Sequence, residues 1–240
     1  MSVAVASTAP YWLAFGDIHD DLSLLETLPE LREASGVLVT GDLTLAGGAK
    51  QALRVLEPLV AAVPRLLAQA GNMDRREVAD LLEQKGWNLH AKAAELFPGV
   101  YVMGVGYSPP TPFNTPGEYP EERLAEWLQA AYAEARKLAA VACAATPVFV
   151  LAAHAPPYAT ACDRLRSGLP VGSTAVREFI EQHQPDLCLC GHIHEARAED
   201  SIGNTRIINP GDLASGGYVL LRRTGESGSF GLDAELKVRA

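Results

Sequence analysis

Short, nearly continuous apolar runs recur along the chain: Trp12-Leu13-Ala14-Phe15, Val37-Leu38-Val39-Thr40, Arg65-Leu66-Leu67-Ala68, Tyr101-Val102-Met103, Val148-Phe149-Val150-Leu151 and Leu187-Cys188-Leu189-Cys190. Runs without polar alternation suit strands covered on both faces. Between them, Leu22, Leu25 and Leu28, then Leu124, Trp127, Leu128 and Ala131, then Val176, Phe179 and Ile180 keep the spacing of an amphipathic helix. The pattern is strand, helix, strand, helix. After His194 the texture changes to short stretches such as Thr205-Arg206-Ile207-Ile208-Asn209-Pro210-Gly211 and Tyr218-Val219-Leu220-Leu221, which predict an antiparallel tail on the α/β body. Tyr107 to Pro116 is too rich in proline for a helix or a central strand and predicts a long surface loop.

Composition narrows this picture. The 240 residues are 48% hydrophobic and 20% charged, a balance that suits an ordered globular chain folding as one domain over residues 1–240. A net charge of -9 without a Lys/Arg run argues against an electrostatic hold on bulk nucleic acid. The first ten residues lack the cationic start and apolar stretch of a signal peptide, and no apolar run reaches membrane-spanning length, so a cytoplasmic protein is expected. Cys143, Cys162, Cys188 and Cys190 are too few and scattered for a disulfide framework, and are read as reduced. Cys188 and Cys190 alternate with leucines, as packed thiols do.

The residues able to carry chemistry sit just past the strand-like runs. Asp17 and His19 come after the first run, Asp42 after the second and Asn72 after the third; His154 comes after Val148 to Leu151, and His192 and His194 after Leu187 to Cys190. In open α/β sheets, ligands bind at the carboxyl ends of strands, so these segments can converge on one crevice. Singly, each has a plainer reading: an Asp as a helix N-cap, Asn72 in a turn, His154 as a hydrogen-bonded structural residue. Five strand ends all carrying Asp, Asn or His make a shared site the better account. Imidazole mixed with carboxylate and amide oxygen suits Mn, Fe, Zn or similar divalent ions. A shared carboxylate allows two ions about 3.5–4 Å apart, the arrangement that clamps a phosphoryl displacement.

Gly16-Asp17-Ile18-His19, Gly41-Asp42, Gly71-Asn72-Met73-Asp74, Ala153-His154 and Gly191-His192-Ile193-His194, in this order, resemble the motifs of the calcineurin-like metallophosphoesterase superfamily over Trp12 to Gly211. The resemblance implies a four-layer αββα sandwich of two mixed β-sheets flanked by helices, with residues 212–240 supplying strands that close the second sheet. It implies that Asp17, His19, Asp42 and His194 hold one metal and Asp42, Asn72, His154 and His192 the other, with Asp42 as the bridge. Pro110 to Pro116 and Cys190 to Ala196 look more narrowly like phosphoesterases related to the bacterial cyclic-nucleotide phosphodiesterase Icc.

One position departs from the pattern. Most active members of the superfamily carry His directly after the ligand Asn, and here that position is Met73, whose thioether cannot donate a proton. Asp74 is the nearest ionisable alternative, or else a cap for the following helix. The expected reaction is hydrolysis of a small phosphate ester, a diester with nucleotides among the candidates, by attack of a metal-bridging hydroxide, with Asp42, Asn72, His154 and His192 at the reacting centre. Asp20, Asp21 or Glu195 could orient the imidazoles. Tyr107, Phe113, Tyr158 and Arg164 are candidate substrate contacts, with anchoring of their loops as the alternative for the aromatics. The competing functions are a catalytically weak metal-binding scaffold of the same fold, which Met73 favours, and a DNA repair nuclease, which the acidic balance disfavours.

Overall fold

A computed structural model describes residues 10–142, 146–225 and 230–239. Strand β1 (Tyr11–Phe15) runs parallel to β2 (Gly36–Val39), which runs parallel to β3 (Leu66–Ala68). The second sheet is built on β4 (Ala93–Phe97), β5 (Val100–Val105), β6 (Val148–Ala153), β7 (Leu187–Leu189), β8 (Ala198–Ile202) and β9 (Thr205–Asn209), in the order β4-β5-β6-β7-β9-β8. Strands β5, β6, β7 and β9 are mutually parallel, and β4 and β8 are antiparallel edges.

Alternate side chains of each central strand go to different cores, which is why the runs carry no polar alternation. Leu13 and Phe15 of β1 and Val37 and Val39 of β2 pack outward with residues of α1 (Ala49–Ala62) and α2 (Arg76–Lys85). Trp12, Ala14 and Leu38 point the other way and meet Val102, Val150, Ala152 and Leu189 between the sheets. Leu151, Ala153 and Cys188 face α3 (Glu121–Val141) and α4 (Thr174–His183) on the far side. The result is two mixed sheets back to back between two helical layers, the expected αββα order. Gln69, fully buried, ties the sheets together: its Nε2 lies 3.1–3.2 Å from the carbonyls of Thr40, Val105 and Ala152.

Four local expectations need correction. Leu22, Leu25 and Leu28 do not share one helix; the chain makes two 3-10 turns, Leu25–Thr27 and Pro29–Glu33, because a residue before proline is driven out of the helical region, and Leu28 is extended (φ -87°, ψ 98°). The stretch after His194 is only partly antiparallel, since β9 is parallel to β7. Residues 212–240 do not close the second sheet: β10 (Gly217–Thr224) and β11 (Gly231–Val238) extend the first, with β10 antiparallel to β1. Val219 and Leu221 thereby fill the space between the sheets while Tyr218 and Leu220 join the outer core. Finally, β4 and β11 went unpredicted because edge strands are half-exposed and lack a continuous apolar run. Cys162, Cys188 and Cys190 are free and buried, as packed thiols; Cys143 lies outside the described residues.

Candidate metal centre

Strands β1, β2 and β3 of one sheet and β6 and β7 of the other deliver Asp17, His19, Asp42, Asn72, His154, His192 and His194 from their carboxyl ends. The loops are stitched to one another through the backbone. Asp17 N–H donates to the Gly41 carbonyl, the N–H groups of Ile18 and His19 both donate to the Asp42 carbonyl, and Gly191 N–H donates to the His154 carbonyl. Turns this sharp put Asp17, His19, Asp42 and His192 in the left-handed region, with φ of 50°, 49°, 51° and 65°. Such backbone costs on the order of 1–3 kcal/mol per residue and persists only where surrounding structure enforces it.

The motif glycines are needed for close approach. A Cβ on Gly71 would lie 2.1 Å from Asp42 Oδ1, one on Gly191 2.3 Å from Asp17 Oδ2, and one on Gly41 2.4 Å from His154 Nδ1. Among the described residues, the donor atoms form two groups: Asp17 with His19 and His194, and Asp42 with His154 and His192, each within 4.8 Å. In the first, His19 Nε2 and His194 Nε2 are 3.1 Å apart and Asp17 Oδ1 is 3.3 Å from His194 Nε2. In the second, His154 Nε2 lies 2.9 Å from Asn72 Oδ1 and 3.5 Å from Asp42 Oδ2. Donors about 3 Å apart have the spacing of neighbouring ligands on one ion with bonds of roughly 2.0–2.2 Å. Two neutral imidazole nitrogens at 3.1 Å cannot both present lone pairs without a cation or proton between them. This donor set therefore fits divalent metal ions.

Electrostatics without a metal points the same way. His154 is fully buried, which would lower its pKa, yet the Asp42 carboxylate beside it pushes it up to about 9. Asp17 is held below the usual carboxylate range: burial opposes this most strongly, but the hydrogen bond from His194 and the charges of His154, His194 and His19 together outweigh it, and the same bond raises His194. Burial, and then the neighbouring His154, takes His192 down to about 4. The buried carboxylates thus recruit positive charge from whatever cation is at hand.

The structure answers several questions about neighbouring residues. Asp74 is neither a proton donor aimed into the site nor a cap of α2. Its Oδ2 accepts from the N–H groups of Leu43 and Gly71, and its Oδ1 accepts from the N–H and hydroxyl of Thr44. It knots the Asp42 loop to the Asn72 loop, while burial and the Asp42 charge push its pKa up to about 7. Asp20, Asp21 and Glu195 do not orient the imidazoles either; they accept from the backbone N–H groups of Leu45, Ser23 and Arg166. His154 is held by packing against Gly41 instead, and its buried Nδ1 has no hydrogen-bond partner among the described residues.

Of the proposed substrate contacts, Tyr107 is corrected: it is buried in an aromatic cluster with His90, Tyr119 and Trp127 and anchors its loop. Phe113 is 82% exposed on the Pro-rich loop, and Tyr158 is partly exposed after His154. Arg164 pairs with neither Asp163 nor a site residue; its Nη1 donates to the Gly168 carbonyl across a hairpin turn. Asp163 instead accepts from the N–H groups of Ala159, Thr160 and Gly172, shaping the loop beyond His154. A further organising residue lies outside the ligand motifs: buried Asn209 donates to the carbonyls of Cys162 and Ile193 and accepts from Gly211 N–H, holding the His192 loop. Asn-Pro-Gly after a strand-like run was its only sequence signal.

The chain is 35% identical over 201 residues to uncharacterized protein MJ1162 of Methanocaldococcus jannaschii, covering 81% of this chain and 84% of that protein. It shares its fold with TT1561 of Thermus thermophilus (TM-score 0.65, 21% identity, 94% of this chain and 99% of the other). It also shares it with the phosphopantetheinyl hydrolase PptH of Mycobacterium tuberculosis (TM-score 0.53, 15% identity, 85% and 90%). Residues 12–196, which include every residue of the two donor groups, match the calcineurin-like phosphoesterase family, and the chain belongs to that family.

Proposed function

We propose that the protein hydrolyses a small phosphate ester, with diesters, nucleotide diesters among them, as the favoured class, at a pair of divalent metal ions. Asp17, His19, Asp42 and His194 would hold one ion, and Asp42, Asn72, His154 and His192 the other. The observation that carries this reading is the position of Asp42, whose Oδ2 stands 3.5 Å from His154 Nε2 in one group and 3.8 Å from His19 Nε2 in the other. When bound, such a pair supplies Lewis acidity and lowers the pKa of water, the chemistry suited to in-line displacement at phosphorus. The chain itself contributes preorganisation. Its loops are pinned by backbone hydrogen bonds, and its imidazoles are packed into place before substrate arrives. The net charge of -9 disfavours long polyanions and leaves a small ester as the better substrate. Phe113 and Tyr158, both exposed, are the proposed aromatic contacts for it.

Met73 shapes the leaving-group preference. It cannot donate a proton, and both oxygens of Asp74 are engaged by loop donors. Esters with good leaving groups should therefore be turned over best. Met73→His should raise kcat on alkyl phosphodiesters by roughly 10²–10⁴-fold, the usual contribution of general acid catalysis, and leave nitrophenyl esters nearly unchanged. Equal effects on both ester types would exclude a proton-donor role for this position.

The test of the proposal is elemental analysis of purified protein combined with turnover of bis-p-nitrophenyl phosphate and p-nitrophenyl phosphate in added Mn²⁺. Two metals per chain with faster diester turnover is the expected result. Metal without turnover of either ester would favour the scaffold reading that Met73 motivates, and a chain that takes up no metal would refute the site.

A further inference from the structure

An asparagine poses a problem as a metal ligand that a carboxylate does not. Its two ends are nearly the same size but opposite in polarity, and only the carbonyl oxygen can face a cation. Something must therefore fix which end points inward. In this chain the Pro-rich loop presses on the Asn72 turn. Gly117 N–H donates to the Asn72 carbonyl at 2.8 Å, and a Cβ on Gly117 would lie 2.7 Å from the Gly71 carbonyl oxygen, so only glycine permits this approach. Asn72 Nδ2 then lies 2.9 Å from Thr115 Oγ1, and Thr115 Oγ1 lies 2.7 Å from Glu118 Oε1.

Counting protons sets the direction of this chain of bonds. A threonine hydroxyl has one proton and spare lone pairs, whereas an ionised glutamate only accepts. Glu118 is ionised: burial works against it, but hydrogen bonds from Thr111 and Thr115 hold its pKa down to about 2. Both its oxygens take donors, Oε1 from the hydroxyls of Thr111 and Thr115 and the Thr115 N–H, and Oε2 from the Thr111 N–H. The Thr115 proton is thereby committed to Glu118, leaving its lone pair for Asn72. Asn72 must present its NH₂ end to Thr115 and its Oδ1 to His154, 2.9 Å away.

We infer that Thr115 and Glu118 are positioning residues, a hydrogen-bond relay of fixed polarity that turns the Asn72 carbonyl oxygen toward the metal site. The inference rests on the reading of Asn72 as a ligand. It also gives the Pro-rich loop a function apart from substrate contact, since the bond from Gly117 N–H to the Asn72 carbonyl keeps Thr115 beside Asn72.

Isothermal titration with Mn²⁺ tests this. Thr115→Val keeps the shape and removes the acceptor, and should weaken Mn²⁺ binding roughly 10–100-fold, the usual effect of losing a group that orients a ligand. Thr115→Ser keeps the hydroxyl and should bind close to wild type. Glu118→Gln can place its amide oxygen where Oε1 now accepts three donors, so the Thr115 hydroxyl keeps its acceptor and binding should stay close to wild type. The melting temperature in chelator should be nearly unchanged for all three. Wild-type affinity in Thr115→Val would overturn the inference, as would Thr115→Ser proving as weak as Thr115→Val, which would assign the effect to packing. Asn72→Ala separates the two readings. If it loses metal while Thr115→Val does not, the ligand stands and the relay falls; if it binds Mn²⁺ like wild type, both fall.

Discussion

Asp42→Asn should eliminate phosphoesterase turnover, lowering kcat/KM by at least about 10²–10³-fold, the scale of removing one preorganised electrostatic group from an active site. The local geometry says why so small a change has so large an effect. Asp42 Oδ1 accepts the Met73 N–H at 2.7 Å, so the carbonyl oxygen of an introduced amide must occupy that place. Its NH₂ then falls where Oδ2 now stands, 3.5 Å from His154 Nε2 and 3.8 Å from His19 Nε2. A group that could accept a cation is replaced by one that repels it, between both donor groups at once. Elemental analysis should show reduced metal content, and far-UV circular dichroism should show the fold retained. A variant that keeps both its metal and its turnover would remove Asp42 from the mechanism.

The second large effect is steric. Gly71→Ala places a methyl group 2.1 Å from Asp42 Oδ1 and 2.3 Å from the Asp42 backbone nitrogen. Neither atom is free to yield, because Oδ1 holds Met73 N–H, and the Asp42 carbonyl accepts the N–H groups of Ile18 and His19. Gly71 is itself tied down through its N–H to Asp74. Overpacking of this kind costs about 1–3 kcal/mol. For a chain of this size that lowers the melting temperature by roughly 2–12 °C. The functional loss should be larger than the stability loss, because a displacement of about 1 Å at a reacting centre can cost 10²-fold in rate. Gly48→Ala is the control: a Cβ there meets nothing within 4 Å among the described residues, and metal uptake and turnover should be unchanged. Differential scanning calorimetry and Mn²⁺-dependent turnover, measured on both variants, check the pair. A Gly71→Ala protein as active as Gly48→Ala would mean the Asp42 and Asn72 loops are far looser than their hydrogen bonds suggest.

Much of this architecture was legible in the linear chain, and for identifiable reasons. Strands buried on both faces, such as β1 and β6, must be apolar at every position, so they stand out as unbroken runs. The residues of the two donor groups lie within a few positions of those runs, so their place at the strand ends could be read from order alone. The αββα layering came through the resemblance those motifs carry. Edge strands β4 and β11 escaped because half-exposed segments do not need an apolar pattern. The sheet joined by β10 could not be read either, since an antiparallel pairing with β1 from the far end of the chain leaves no local trace.

What only the tertiary structure decided was the service each polar side chain performs. Asp74 has the same sequence signature whether it donates a proton, caps α2 or knots two loops, and only the positions of Leu43, Thr44 and Gly71 select the last. Tyr107 and Phe113 are both aromatics in one Pro-rich stretch, yet one is buried against Trp127 and the other is 82% exposed. Thr115 and Glu118 carry no motif, and Thr115 meets Asn72 while bonded to Glu118 only because the loop folds back across the end of β3. Covalent order and burial are written in spacing and hydrophobicity, which act locally along the chain. The partner of a hydrogen bond is set by which segments the packed core brings within about 3 Å, and no local pattern encodes that.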